Sequence, residues 1–293
     1  MTKTCLVTGI TSGIGKATVF KLAKKNLSLI LISKNEKKVN KVYDQILKIN
    51  KDISIKPYIC DISSLRQVNG VAKDIKADFN SIDIMINNAG ALFNRYHLSE
   101  EDYELTFATN YLGSFLLTLL LLNCFKANGE VRIINISSSS HLSAKFDINF
   151  KEKPKVYERG TAYENSKLAI LFFTYELSRL LAHSNITVNA LDPGNVATRI
   201  NLNNGFLPWL KHHIKFGIQG KLISASTAAY SILYLALDEK LKNTSGKYFF
   251  ENKTVPSSEI SYDKEIAKEF FKLSLEMTGL SESEIIESIN ILR

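Results

Sequence analysis

At 293 residues, with 45% hydrophobic and 23% charged side chains, the chain can bury one large α/β core or two small ones, and its composition excludes a disordered or integral-membrane protein. The net charge of +8 comes from lysines scattered along the whole sequence, which argues against a nucleic-acid-binding surface. Cys5, Cys60 and Cys124 each lie in an apolar run without metal-ligand spacing, so they read as buried thiols of a reducing compartment and not as a metal centre. Residue Lys3 runs straight into a strand-like segment, and the longest apolar run, residues 115–122, is too short to span a bilayer, so a soluble cytoplasmic protein is expected.

In chain order, residues 4–8 (TCLVT) predict a first strand. Gly9-Ile10-Thr11-Ser12-Gly13-Ile14-Gly15 follows directly, and then a helix pattern with Ala17, Val19, Phe20, Leu22 and Ala23. A strand, a glycine-rich turn and a helix in that order allow backbone N–H groups and a helix N-terminus to approach a pyrophosphate; a plain glycine turn is the alternative, because the spacing is G-x-x-x-G-x-G and not G-x-G-x-x-G. Residues 27–33 (LSLILIS) predict a second buried strand that ends in Ser33, Lys34 and Asn35, without a carboxylate. An acid there would hold the ribose 2′-hydroxyl of NAD and a base accommodates the 2′-phosphate of NADP, so NADP(H) is favoured over NAD(H) unless Lys34 is simply a solvated lysine.

Residues 36–49 predict an amphipathic helix and residues 53–60 a third strand, followed by Asp61 and Ile62. Ser64-Leu65-Arg66-Gln67 reads as a capping box opening a helix to about residue 79. Residues 82–86 predict a fourth strand leading into Asn87-Asn88-Ala89-Gly90, small and amide residues that suit the close approach of a flat ligand. Residues 106–125 predict one strongly apolar helix carrying Asn110; residues 131–136 a fifth strand ending in Ser137 to Ser140; residues 187–191 a sixth, followed by Asp192-Pro193-Gly194. Helices at 224–237 and 264–278, a last strand at 247–250 and a capping box at Ser281-Glu282-Ser283-Glu284 complete the pattern. Strands alternating with helices, with no linker, predict a single α/β domain: a Rossmann-type doubly wound parallel sheet of about seven strands with helices on both faces. Every candidate polar group falls at a strand's carboxyl end, where such sheets bind ligands.

Two stretches break the rhythm. Residues 142–161 are polar and charged and read as a surface excursion. Residues 195–223 combine Phe206, Leu207, Trp209 and Leu210 with Lys211, His212, His213 and Lys215, which suits a substrate-binding lid over an apolar compound, with membrane or partner docking and local packing as the alternatives. Between them lies Ala162-Tyr163-Glu164-Asn165-Ser166-Lys167, opening a helix whose stripe of Leu168, Ala169, Leu171, Phe172, Leu177 and Leu180 faces a core. Tyr163 and Lys167 fall one turn apart on one helix face. A cation so placed favours phenolate and is expected to pull the tyrosine toward neutrality, where it can exchange a proton with an alcohol or ketone. The pair gains its meaning from the company it keeps. His97 and His141 form no recognisable hydrolase triad with a serine, and the adjacent His212 and His213 point apart on a helix, so no metal is expected.

These residues together resemble the short-chain dehydrogenase/reductase family: TGITSGIG (residues 8–15), Asp61, NNAG (87–90), Asn110, the serine run, YENSK (163–167) and Pro193-Gly194 occur in the family's order. NYLGSFLLT (110–118), RIINISSSSH (132–141) and GKYFFENK (246–253) resemble the retinol dehydrogenase-like branch, and the likeness extends to the C-terminal helical extension at 261–293. The resemblance implies an oxidoreductase in which Tyr163 is the general acid and base, Lys167 lowers its pKa and binds the nicotinamide ribose, Ser138 holds the substrate oxygen with Ser140 nearby, and Asn110 holds a water in a proton relay. It further implies that Gly9, Thr11, Ser12, Gly13, Ile14 and Gly15 cradle the pyrophosphate, Asp61 and Ile62 flank adenine, Asn88, Ala89 and Gly90 border the ribose, and Pro193, Gly194, Val196 and Thr198 meet the nicotinamide end. Lys34 stands where NADP-dependent relatives usually carry arginine, Asp192 and Asn195 flank Pro-Gly where relatives are less acidic, and the membrane segment of many animal retinol dehydrogenases has no counterpart, which weakens retinoid as the substrate. The expected substrate is a hydrophobic alcohol, aldehyde or ketone; a non-catalytic NADP(H)-binding regulatory protein is the alternative, and a homodimer through the helices of Asn110 and Tyr163 is possible on their apolar surfaces.

Overall fold

The computed structural model describes residues 2–125, 129–146, 156–196 and 222–293. Strands β1 (Lys3–Thr8), β2 (Leu27–Ser33), β3 (Ile55–Ile59), β4 (Ile84–Asn87), β5 (Val131–Ile136), β6 (Ile186–Asp192), β7 (Tyr248–Phe250) and β8 (Lys253–Thr254) form one sheet in the order β3-β2-β1-β4-β5-β6-β7-β8. The first seven run parallel, and the strand order reverses between β1 and β4, the switch point at which such sheets open a crevice. The two-residue β8 is antiparallel and turns back from β7 through Glu251 and Asn252, both at positive φ. The expected sheet of about seven strands is therefore present, extended by an edge too short to carry a sequence pattern.

Side chains alternate across the sheet. Cys5, Val7, Leu29, Leu31, Ile84 and Ile86 point to one face, where helices α1 (Gly13–Leu22) and α2 (Glu36–Ile49) pack against them together with residues 225–237. Leu6, Ile30, Ile32, Met85 and Ile133 point to the other, beneath α3 (Leu65–Asp78) and residues 105–120. All three cysteines are free and buried, and burial drives the Cys5 thiol far above its ordinary pKa, as expected of inert packing groups. Among the described residues no helix is long and apolar enough to cross a membrane, and no cluster of metal-ligating side chains occurs.

Three expectations need correction. The helix predicted over 106–125 is not continuous: α4 (Leu105–Phe107) passes through a π turn at Ala108–Leu112 into α5 (Gly113–Leu120) and ends in a short 3₁₀ turn. The π turn carries one extra residue, which turns the Asn110 side chain toward the main chain after β4, where its Oδ1 accepts from the Ala91 N–H at 2.7 Å. Ser281 starts the last helix but makes no capping bond, since its hydroxyl pairs with Ser283. Ser64 does cap α3, yet the Gln67 side chain accepts from the Asp61 N–H instead of closing the box on Ser64.

The apolar surface of the helices of Asn110 and Tyr163 is in part covered by the chain itself. Helix α6 (Arg159–Leu180) and α5 present Phe115, Phe172 and Phe173, and these meet Phe270 and Phe271 of the chain's own C-terminal helix: Phe115–Phe271 ring centres lie 5.3 Å apart and Phe172–Phe270 5.7 Å. Helices α7 (Ala225–Leu237), α8 (Lys264–Thr278) and α9 (Glu282–Leu292) complete the fold, with α8 running from its Asp263 cap to Gly279 in the left-handed conformation.

Gly113 sits where α5 crosses the turn after β3, and a Cβ there would overlap the Ile62 carbonyl oxygen. Gly70 lies on exposed α3 with open space around it. Alanine should therefore act in opposite directions at the two sites: Gly113→Ala destabilises by about 1–3 kcal/mol through overpacking, whereas Gly70→Ala stabilises by about 0.4–1 kcal/mol through lost chain entropy, both read from urea unfolding.

Candidate active site at the carboxyl ends of the strands

The turn after β1 reaches Gly9 at φ +74° and Gly13 at φ +52°, conformations that side chains with a Cβ rarely adopt. Gly15 packs so closely that a Cβ would overlap the Gly9 carbonyl and the Asn88 amide. Ser12 precedes α1 without a side-chain cap, so the first-turn N–H groups of α1 face the crevice unbonded by it. A bare helix N-terminus in a glycine cradle suits the pyrophosphate of a dinucleotide.

The β4 turn is stitched to this cradle by Thr8, whose buried hydroxyl oxygen accepts from the Asn88 N–H at 3.0 Å and the Ala89 N–H at 2.9 Å. The Asn88 amide in turn donates to the Thr8 carbonyl at 2.8 Å. Thr8 was not singled out from the sequence, because nothing in a strand's last residue says that a distant turn will lean on it.

At the end of β2, Thr11 and Ser33 hydroxyls lie 3.2 Å apart, and Asn35 caps α2 by accepting from the Lys38 N–H. Lys34 reaches across to Asp61, Nζ to Oδ2 3.2 Å, with a side chain 64% exposed. Burial raises the Asp61 carboxyl, but two bonds from Ser63 and the Lys34 ammonium outweigh it and hold the group below the ordinary aspartate range. An ion pair this exposed is worth about 0–1 kcal/mol, so Lys34 is free to change partner.

Tyr163 and Lys167 occupy α6 as the four-residue spacing predicts. Helix α6 begins at Arg159, within the stretch expected as a surface excursion, so Tyr163 lies in its second turn, farther from the helix start than the sequence suggests. The Lys167 ammonium is buried, donates to the Ile136 carbonyl at 2.9 Å and lies 5.4 Å from the Tyr163 ring centre. A Cβ on Gly90 would come within 3.8 Å of the same Nζ, so the β4 turn also borders it. Ser138, which follows β5, stands near enough to the Tyr163 phenol to favour its phenolate. Its hydroxyl also lies 3.2 Å from that of Ser140. Asn110 joins the group from the π turn, donating from Nδ2 to Ser166 Oγ at 2.9 Å, and Ser166 donates to the Tyr163 carbonyl.

The electrostatics differ from expectation in sign. Burial pushes the Tyr163 phenol up to about 12, partly offset by the Ser138 bond, and pushes Lys167 down to about 8 against the attraction of Asp192. A tyrosine and a lysine paired in solvent would shift the other way; here loss of water around both dominates. The Pro193-Gly194 turn follows β6 with Gly194 at φ +80°, and Val196 bridges to Ile223. Thr198, Phe206 and Trp209, and with them most of the suggested lid, lie outside the described residues.

Residues 3–205 match the family model described as short chain dehydrogenase. Retinol dehydrogenase 13 of Mus musculus is 34% identical over 282 residues, covering 95% of this chain and 84% of that protein. Human polyprenol dehydrogenase is 29% identical over 292 residues, covering 95% and 86%. Among solved structures, an uncharacterised protein from Mycobacterium Paratuberculosis superimposes with a TM-score of 0.76 at 24% identity, covering 95% of this chain and 94% of the other. Actinorhodin polyketide ketoreductase with NADPH superimposes at 0.67 and 22% identity, covering 85% and 95%, a likeness of fold.

Thr8→Val keeps the shape of the side chain but leaves the Asn88 and Ala89 N–H groups without their acceptor. The expected cost is about 1–3 kcal/mol of stability by urea unfolding, largely restored in Thr8→Ser, whose hydroxyl can accept again.

Proposed function

Because this chain belongs to the short-chain dehydrogenase/reductase family and is an oxidoreductase acting on CH–OH groups, we propose that it interconverts an apolar alcohol and its aldehyde or ketone with NADP(H), using Tyr163 to give and take the proton at the substrate oxygen. The observation that carries this reading is the buried Lys167 ammonium, held by the Ile136 carbonyl 5.4 Å from the Tyr163 ring centre, with the Ser138 hydroxyl near the same phenol. The glycine cradle, the uncapped N-terminus of α1 and the Lys167 ammonium fit a nicotinamide dinucleotide, which supplies the hydride when bound. In the reduction direction Tyr163, protonated throughout the neutral range, donates its O–H proton to the carbonyl oxygen that Ser138 holds. Lys167 then faces the phenolate and stabilises it, and Asn110 fixes the Tyr163 helix through Ser166. Relatives named for retinol and polyprenol, both apolar alcohols, support the substrate class. The buried free thiols fit a reducing, cytoplasmic setting.

For the cofactor, Lys34 and the lack of an acid after β2 support a 2′-phosphate preference, moderated by the pairing of Lys34 with Asp61. NADPH should bind more tightly than NADH in fluorescence titration, and Asp61→Asn should widen the gap; equal affinities in the wild type would remove Lys34 from the reading. Tyr163→Phe should lower NADPH-dependent reduction of a panel of aldehydes about 100- to 10,000-fold while NADPH binding persists. Lys167 loses its charge as pH rises through about 8, whereas Tyr163 stays protonated to about 12. The turnover rate for reduction should therefore fall above that lower value, and a rate that holds through the ordinary lysine range would show that the Lys167 charge is not used.

A further inference from the structure

We propose that His141 and Asp192 are positioning residues that clamp the single peptide linking Ser138 to Ser139, and thereby aim the Ser138 hydroxyl at Tyr163; the proposal rests on the catalytic reading of Ser138 above. His141 Nδ1 lies 2.6 Å from the Ser138 carbonyl oxygen, and the Ser139 N–H donates to Asp192 Oδ2 at 2.7 Å. Carbonyl and N–H belong to the same planar unit, so the two contacts fix its rotation from opposite edges. Asp192 is itself held by the Gly194 N–H at 2.8 Å and by the Tyr248 hydroxyl at 3.4 Å, and the Tyr248 ring stands edge-on to the His141 ring with centres 5.0 Å apart.

The contacts also define the state of the imidazole. A carbonyl only accepts, so Nδ1 carries the proton. Nε2 receives the Ser258 N–H at 3.0 Å and is therefore bare. The ring is neutral and in one tautomer, fully buried at 1% exposure. The titratable groups that face it are Asp192 on β6, which favours protonation, and Tyr248 on β7; burial opposes protonation and prevails. Protonation at Nε2 would set two donors against each other and release Ser258.

Ser258 belongs to a segment tied to the helix that carries Tyr163. The neighbouring Ser257 hydroxyl lies 2.7 Å from the Tyr175 hydroxyl and 2.7 Å from that of Ser261, and the Tyr175 and Tyr262 rings stack with centres 5.3 Å apart. Through His141, the main chain of Ser138 is thus braced against the same helix as its partner Tyr163.

The test uses the full chain, NADPH and straight-chain aldehydes, with ¹⁵N-histidine spectra as a readout independent of turnover. The chain has five histidines, and His141→Asn identifies the signal of residue 141. The wild-type signal should show the Nδ1-protonated tautomer and titrate only below the ordinary histidine range. His141→Ala should lower the turnover rate about 100-fold with NADPH affinity unchanged, the scale of a misplaced catalytic group. His141→Asn, which keeps a donor for the Ser138 carbonyl, should recover most of that loss. Ser258→Pro removes the N–H that Nε2 accepts, together with a buried hydroxyl that bonds to nothing, at a φ of −60° that proline adopts, and should move the acid limb of the turnover rate toward ordinary histidine values. An Nε2-protonated signal, or a wild-type pH profile in Ser258→Pro, overturns the clamp even if His141→Ala fails to fold. A wild type without turnover but with the Nδ1 tautomer would instead fault the catalytic reading.

Discussion

One ammonium group, taken out of water and given the carbonyl of Ile136 as its acceptor, organises the crevice. A buried charge is costly unless it is paired and bonded, and Lys167 meets that demand with a strand-end carbonyl and the more distant Asp192 carboxylate. The bond fixes the rotation of α6 against β5, because the donor sits on one and the acceptor on the other. Tyr163, one turn earlier, inherits that rotation. The raised phenol and the lowered ammonium are two results of the same desolvation.

The height of the helices over the sheet is set by a second device, a line of buried amides and hydroxyls. Asn87 on β4 donates to Thr118 on α5 and to Asn135 on β5, and Asn135 donates to Thr174 on α6. Apolar packing alone tolerates sliding, whereas these bonds admit one register. Asn110 and Tyr163 therefore arrive at the strand ends at matched levels, linked through Ser166.

Much of this was legible in the sequence because the relevant signals are local. The short apolar runs marked the parallel strands, the glycines after β1 the turn, and the spacing of Tyr163 and Lys167 their shared face. What escaped depends on parts far apart in the chain. The need for glycine at 113 becomes visible only when the Ile62 carbonyl is set against it. Thr8 looks like any strand residue until the β4 turn leans on it. The π turn around Asn110 hides inside an apolar run whose composition reads as plain helix. The sign of the tyrosine shift was missed because spacing reports neighbours and is silent about solvent, and the aromatic faces of α5 and α6 looked free because their cover lies far downstream of both.

That cover bears on how the protein comes into being. Phe270 and Phe271 close over Phe115, Phe172 and Phe173, so the core beside α6 is finished by a segment the ribosome makes well after that helix. Until then a growing chain carries an exposed aromatic surface built from α5 and α6, the kind of surface that attracts chaperones or other nascent chains. Long-range closure of this sort also slows folding, since the loop must be ordered before the contacts reward it. The maturation of the molecule is thus gated by α8, and a chain interrupted before that helix is made is left with an adhesive surface uncovered.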